Sequence, residues 1–377
     1  MSAPPALRPA LAGAAALCTT IGLARFGYVP LFPALVSAGW VGGGEAGALG
    51  ATTFAGHLLG ALAAPGAARW MGVRRVLDLA MALATLSFLA CALQLGFGWL
   101  ALWRGLAGVA GGLAISLAGP AVQVVTPEGR RGRAAGLVTA GVGAGVVLAA
   151  LLVPSLRAGG LVLTWLGLGL VAALLWAFAR PRWPDPAAPT ATAGADGAAP
   201  PGFIGPLLLI YGLSAAGMTA PMVYLADLAV RGHGMGFTSA GLIWALFGLG
   251  AVGGTLLGGR VADRLGQWTI PLWMAIQVAA LGLALLPQPA AVVPAAFFSG
   301  FSGVGVTAVT LARLRVVAGA ATGRYWVAAT AVYAVAQAVT GYGFAWLFAA
   351  TGEKHGPVFL AGLLLSLVGL AVAFRRG

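Results

Sequence analysis

Three ionisable side chains, Arg25, His57 and Arg104, interrupt long apolar stretches of this chain. A charge inside a lipid bilayer costs at least a few kcal/mol unless it meets water, a ligand or a partner, so each is a candidate for function. The planar fork of Arg25 suits a carboxylate, phosphate or sulfonate, which it can bind bidentately. The alternative is a structural arginine holding backbone carbonyls freed by Pro30 and Pro33. Tyr28, three residues on, is a second binding candidate. An unperturbed histidine titrates at about 6.5, near working pH. His57 is therefore either a protonation switch or a buried neutral histidine bonded to a neighbour. Arg104 is a candidate for substrate contact.

In the second half the candidates are uncharged. Tyr211, Ser214 and Met218 recur at helical spacing, as do Tyr333, Gln337 and Thr340, so each trio lies on one helix face. Tyr211, Tyr333 and Gln337 are the substrate-binding candidates there. The same faces equally suit interhelical hydrogen bonds, worth under about 1 kcal/mol each in a membrane. None of the eight acids sits in the middle of an apolar run. Asp227, near the outer end of the seventh run, reads as a gating or coupling group or as an ordinary surface acid. Asp78 lies within one turn of Arg74 and Arg75 and reads as half of a solvated pair.

The elements that position these residues follow from composition. Of 377 residues 60% are hydrophobic and 8% charged, with a mean hydropathy of +0.97, where a soluble domain carries about 25% charge. This excludes a soluble enzyme and fits an all-α polytopic membrane protein. A net charge of +13 would suggest nucleic-acid binding in a soluble chain. Here most of the arginines lie in short segments between apolar runs, so they encode topology and no nucleic-acid partner is expected. Both cysteines, Cys18 and Cys91, lie within apolar runs, which leaves no disulfide framework and no four-ligand metal site. No metal or cofactor is expected. The opening run continues past Arg8 to about Val36 and reads as a first helix rather than a cleaved signal.

A span takes roughly 20 apolar residues. Runs bounded by Gly, Pro and Arg place spans near 9–36, 46–67, 76–95, 98–122, 134–154 and 159–178, then near 204–227, 238–258, 269–287, 291–312, 325–349 and 356–374. The domains are therefore an N-terminal six-helix bundle over 1–178, a linker over 179–202 and a C-terminal six-helix bundle over 203–377. The linker is rich in Pro, Ala, Thr and Gly, buries nothing, and is expected to be disordered. With alternating spans, sixteen of the 21 Lys and Arg fall on one side against three on the other. The positive-inside rule then puts both termini and the linker in the cytoplasm. The membrane lipid is thus a partner throughout.

Between spans 8 and 9 stands Gly259-Arg260-Val261-Ala262-Asp263-Arg264-Leu265-Gly266. It resembles the G-x-x-x-D-R-x-G signature of the major facilitator superfamily. The reading is a tight cytoplasmic loop whose carboxylate binds N–H groups at a neighbouring helix N-terminus, with the arginine near lipid headgroups. The resemblance implies that Gly259, Asp263, Arg264 and Gly266 form a cytoplasmic gate motif. The first-half counterpart, the loop from Pro65 to Arg75, keeps only Gly72, Arg74 and Arg75, with Arg69 where the family has its acid. Arg104 with Gly108, the glycines Gly141, Gly143 and Gly145, and the echo of Gly132-Arg133 in Gly323-Arg324 extend the resemblance along the chain. The stretch from Gly22 to Pro33 is similar to the G-x-x-R-F-x-Y-x-x-L-x-P of a bacterial branch often called the YbfB/YjiJ type.

The resemblance implies the major facilitator fold, with twelve transmembrane helices as two pseudo-symmetric six-helix bundles. It implies secondary transport of a small molecule by alternating access in a bacterial inner membrane, by a monomer. No G-x-x-x-x-G-K-[ST] occurs, so the energy is expected to come from a gradient or from partners outside this chain. A cation exporter needs a carboxylate deep in its cavity. With none present beside two intramembrane arginines, the expectation is a small organic anion moved with protons or a counter-substrate, with His57, Arg104 or Asp227 coupling. The alternatives are efflux of neutral or amphipathic compounds, and a non-transporting receptor or scaffold. An enzyme is not expected.

Overall fold

A computed structural model describes residues 7–184 and 201–376. Among the described residues the chain is helical and without strands. It divides into two compact units, residues 1–192 and 193–377. The first holds α1 (Leu7–Ser37), α2 (Gly43–Met71), α3 (Val73–Cys91), α4 (Phe97–Val124), α5 (Arg131–Arg157) and α6 (Leu161–Ala179). The second holds α7 (Pro201–Asp227), α8 (Phe237–Leu265), α9 (Thr269–Ala284), α10 (Val292–Ala318), α11 (Thr322–Ala350) and α12 (His355–Arg376). Ten stretches are long and apolar enough to cross a membrane, and one of them, Phe237–Ala284, contains both α8 and α9. The twelfth span is α3, whose Arg74, Arg75 and Asp78 are confined to its first two turns.

Glycine sets the packing inside each unit. A Cβ on Gly56 of α2 would lie 2.1 Å from the Gly105 carbonyl oxygen of α4, and one on Gly60 would lie 2.1 Å from that of Val109. The second unit repeats the device between α8 and α10: Gly250 meets the Phe297 oxygen at 2.0 Å, Gly254 that of Phe301 at 2.0 Å, and Gly300 that of Phe247 at 1.9 Å. On α5, Gly141 and Gly145 approach Ala14 and Cys18 of α1 in the same way, at 2.1 and 2.5 Å. Lipid is as apolar as leucine, so helices associate through close backbone approach and dispersion, which a side chain at these positions would prevent.

Two stretches that the sequence suggests as loops are mostly helix. α2 runs through Pro65 to Met71, and Gly72 alone, at φ +84°, separates it from α3. α8 likewise runs through Asp263 and Arg264 to Leu265, and the chain turns at Gly266, at φ +52°. A helix satisfies its own backbone hydrogen bonds at the membrane surface, and a single left-handed glycine suffices to reverse direction. The linker also begins later than its composition suggests. α6 passes into a 3-10 turn at Arg180–Arg182, and Trp183 is buried. Arg180 Nε lies 3.5 Å from Asp78 Oδ2, while Trp176 Nε1 donates to Asp78 Oδ1 at 2.7 Å. Asp78 is thus a tertiary anchor between α3 and the end of α6, not half of a solvated pair with Arg74 or Arg75. The rest of the expected disordered linker, residues 185–200, lies outside the described residues.

Candidate functional site

α1 is not α-helical throughout. Cys18–Phe26 is π-helix, a wide form that recurs at functional sites. Pro30 and Pro33 lack the N–H groups that the Phe26 and Val29 carbonyls would receive in an α-helix, so the ladder is already broken there. Arg104 reaches this stretch from α4. It is 2% exposed, its Nη1 donates to the Ala24 carbonyl oxygen at 2.6 Å, and its guanidinium lies 4.4 Å from the centre of the Tyr28 ring. The Tyr28 hydroxyl in turn donates to the Ala46 oxygen at 2.7 Å. Arg104 thus holds a carbonyl of the π-helical stretch itself, two residues before the Phe26 carbonyl that Pro30 frees. Its Nε and Nη2 are buried without a hydrogen bond among the described residues.

Arg25 stands differently. It is only half-buried, with its guanidinium 5.3 Å from the Phe26 ring centre and 4.7 Å from that of Phe54. Phe54 and His57 are one turn apart on α2, which brings His57 within electrostatic reach of Arg25. A Cβ on Gly111 of α4 would lie 3.2 Å from His57 Nδ1 and 3.1 Å from the Thr20 carbonyl oxygen. Gly111 thus lets α4 come close to both His57 and the stretch of α1, Thr20 to Tyr28, that carries Arg25 and receives Arg104. The three described acids of this unit are engaged at helix ends. Glu45 accepts from Gly42 N at 2.9 Å, Asp78 holds Trp176 and Arg180, and Glu128 pairs with Arg131 at 3.3 Å.

In the second unit Tyr211 and Tyr333 meet with ring centres 4.6 Å apart. The Tyr211 hydroxyl bonds Thr307 at 3.1 Å and the Tyr333 hydroxyl donates to the Gly303 oxygen at 3.3 Å. Gln337 Nε2 faces Met222 Sδ at 3.2 Å, and Thr340 meets Thr219 at 3.2 Å. Gln277, which no motif or spacing in the sequence singles out, joins three helices. Its Oε1 accepts from Ser214 at 2.6 Å, and its Nε2 donates to the Ser214 carbonyl at 3.1 Å and to Ser366 at 2.8 Å. Replacing it with leucine leaves both serines their own helical carbonyls, so Gln277→Leu is expected to lower the thermal midpoint in detergent by only a few degrees. That corresponds to about 1–2 kcal/mol for three membrane hydrogen bonds. Loss of folded protein would mean that this network organises the unit.

Asp227 closes α7 just before a second π stretch, Leu228–Gly232. It is 0% exposed, which corrects the surface-acid alternative: His355 Nε2 lies 2.8 Å and Arg231 Nη1 3.4 Å from its Oδ2. Arg231 reaches on to Glu353. Neither His355 nor this network is visible in the sequence, because its members lie up to 128 positions apart. The π stretch at each cluster is equally hidden, although Pro30 and Pro33 signal the first.

The gate-motif residues sit at helix ends. Gly259 is ordinary helix with open space around it, while Asp263 and Arg264 are exposed on the last turn of α8. Asp263 makes no hydrogen bond to a helix N-terminus within its own unit among the described residues. Arg74 and Arg75 are exposed on the first turn of α3, after Gly72.

These features have relatives of known fold. A crystallised bacterial homolog of the human lysosomal transporter Spinster, in an inward-facing and occupied conformation, superposes with a TM-score of 0.78 at 15% identity, over 100% of this chain and 97% of that one. A D-xylose–proton symporter matches with a TM-score of 0.72 at 17% identity, over 97% and 96% of the two chains. At such identities the likeness speaks for the fold. A search of curated proteins returns no match. Residues 17–373 match the family described as the uncharacterised MFS-type transporter YbfB. The chain therefore belongs to that family of the major facilitator superfamily, and it is a multi-pass membrane transporter, not an enzyme.

Proposed function

We propose that this protein moves a small organic anion across a bacterial inner membrane by alternating access, coupled to protons or to a counter-substrate, with both termini cytoplasmic. Arg25 receives the anionic group. The observation that carries this reading is the contrast between the two buried-span arginines. Arg104 is enclosed and committed to the Ala24 carbonyl and the Tyr28 ring, whereas Arg25 stays partly open and is steadied by the Phe26 and Phe54 faces. Such a fork, held but not enclosed, suits a carboxylate or phosphate that binds and leaves. Arg104 then orients Arg25 through the adjoining carbonyl, His57 stands within reach as a coupling group, and Asp227 serves the second unit. Tyr211, Tyr333 and Gln337 line the second unit's contribution. The exposed Asp263 and Arg264, after Gly259 and before Gly266, act at the cytoplasmic gate with Gly72, Arg74 and Arg75. The sidedness rests on the arginine distribution.

The test is thermal unfolding of the purified protein against carboxylates, phosphates, sugars, amines and drug-like cations, in parallel with Arg25→Gln. A ligand that binds only the folded state raises the midpoint by mass action, by about 2.7 kcal/mol at a hundredfold excess over Kd. Stabilisation by a carboxylate or phosphate is expected for the wild type and at least tenfold weaker binding for Arg25→Gln. Stabilisation by neutral or cationic compounds that survives in the variant would replace this reading with efflux of amphipathic compounds and make Arg25 architectural.

A further inference from the structure

The arginine-poor end of the second unit holds an ionic cluster that anion recognition at Arg25 does not use. Asp227 is fully buried; its Oδ2 takes both the His355 and the Arg231 contacts, and its Oδ1 is buried without a hydrogen bond among the described residues. Glu353, which holds the other side of Arg231, is the one described non-glycine residue with positive φ, at +61°. Such a conformation is costly and persists where the surroundings impose it, commonly at working sites. Here it is fixed by the bond from Glu353 N to the Phe348 oxygen at 2.8 Å. His355 opens α12 with its ring edge-on to Phe348, 5.1 Å between centres, and its Nδ1 lies against Gly232, where a Cβ would be only 3.2 Å away. A cleft of about 400 Å³, bordered by Arg231, Glu353, Lys354 and His355, opens onto the group.

We infer that the Asp227–His355 pair is a proton-binding site of the second unit, and that its occupancy fastens the π-helical end of α7 to the start of α12. With Asp227 ionised, the hydrogen bond requires the imidazole proton on Nε2, which leaves Nδ1 to take up a further proton. Without that proton the buried Asp227 and the half-buried Arg231 and Glu353 carry two negative charges against one positive. With it the charges balance, and a buried carboxylate gains a full cationic partner in place of a neutral one. The other groups facing the pair are Lys354, exposed beside the cleft, and His233. Burial, and secondarily the charge of His355, hold the His233 imidazole below its usual range, so His233 tends to remain neutral beside a protonated His355. α11 contributes the Phe348 ring, which also meets the ring of Tyr224, 4.9 Å between centres, one turn before Asp227 on α7. The site rests on, and deepens, the proton-coupled form of the reading above, and it offers the coupling proton a seat reached from the face expected to be periplasmic.

The test is amide hydrogen exchange on the full-length protein in lipid nanodiscs, at about pH 5.5 and about pH 7.5, either side of the histidine range, with labelling times scaled for intrinsic exchange. Residues 228–235 and 351–356 are expected to be about fivefold or more better protected at the acid pH, the size of an ordinary coupling between sites. His355→Gln and Asp227→Asn are expected to abolish that difference. If either variant fails to fold, the double variant His57→Gln/His233→Gln leaves His355 as the sole histidine of three and is expected to retain it. Equal protection at both pH values in the wild type would overturn the inference, as would a difference that persists in folded His355→Gln or vanishes in the double variant. Arg25→Gln, in the other unit, is expected to keep the acid-dependent protection. A lost anion response with the clamp intact, or the reverse, therefore separates the failure of one reading from that of the other.

Discussion

Gly300→Leu is expected to eliminate most folded protein, and Gly300→Ala to lower stability by about 3 kcal/mol or more, above the usual cost of overpacking because the obstacle is backbone. A Cβ at this position lies 1.9 Å from the Phe247 carbonyl oxygen, and the helix that owns that oxygen cannot retreat without opening the neighbouring Gly254 contact at 2.0 Å. The α8–α10 seam therefore yields along its length or not at all. Gly343→Ala on α11, where a Cβ meets nothing within 4 Å, is the control and should leave the thermal midpoint within about 0.5 kcal/mol of wild type. The measurement is folded yield and thermal unfolding in detergent. Wild-type stability for Gly300→Ala would show that the seam can widen freely. The same logic predicts comparable damage at Gly56 or Gly60 in the first unit, where the obstacle lies 2.1 Å away.

Arg104→Lys should be nearly as damaging to the first unit's site as losing the side chain. Lysine keeps the charge but not the planar fork that reaches the Ala24 oxygen at 2.6 Å while its central carbon stands 4.4 Å from the Tyr28 ring centre. The bond to a charged donor is worth about 1.5–3 kcal/mol and the desolvated cation–π contact about 2 kcal/mol. The cost of burying the arginine offsets part of this. The net effect is expected as an exchange rate over Cys18–Tyr28 raised about tenfold, about 1.4 kcal/mol, and as a weakened anion response one residue away at Arg25. Unchanged exchange in Arg104→Lys, with coupling preserved, would instead assign Arg104 to charge alone.

The amino-acid sequence by itself determines the architecture. The apolar runs mark the membrane spans, because in lipid a backbone must bond within its own segment, and the sided arginines give the orientation to expect. The motif ending at Gly266 and the Gly22–Pro33 stretch identify the family. Arg25, His57 and Arg104 stand out without coordinates because charges within apolar runs are costly. What only the tertiary structure decides is division of labour. That Arg104 is tied to the π-helical stretch of α1 depends on α4 bringing it to Ala24, 80 positions away. Whether Asp227 is surface or core depends on α12 delivering His355. Nor does composition tell that Asp263 and Arg264 end a helix. Local periodicity reports which face of a helix is apolar, but not which partner that face meets; partners are chosen by close backbone contact among distant segments, and there a glycine's missing side chain says that something approaches without saying what.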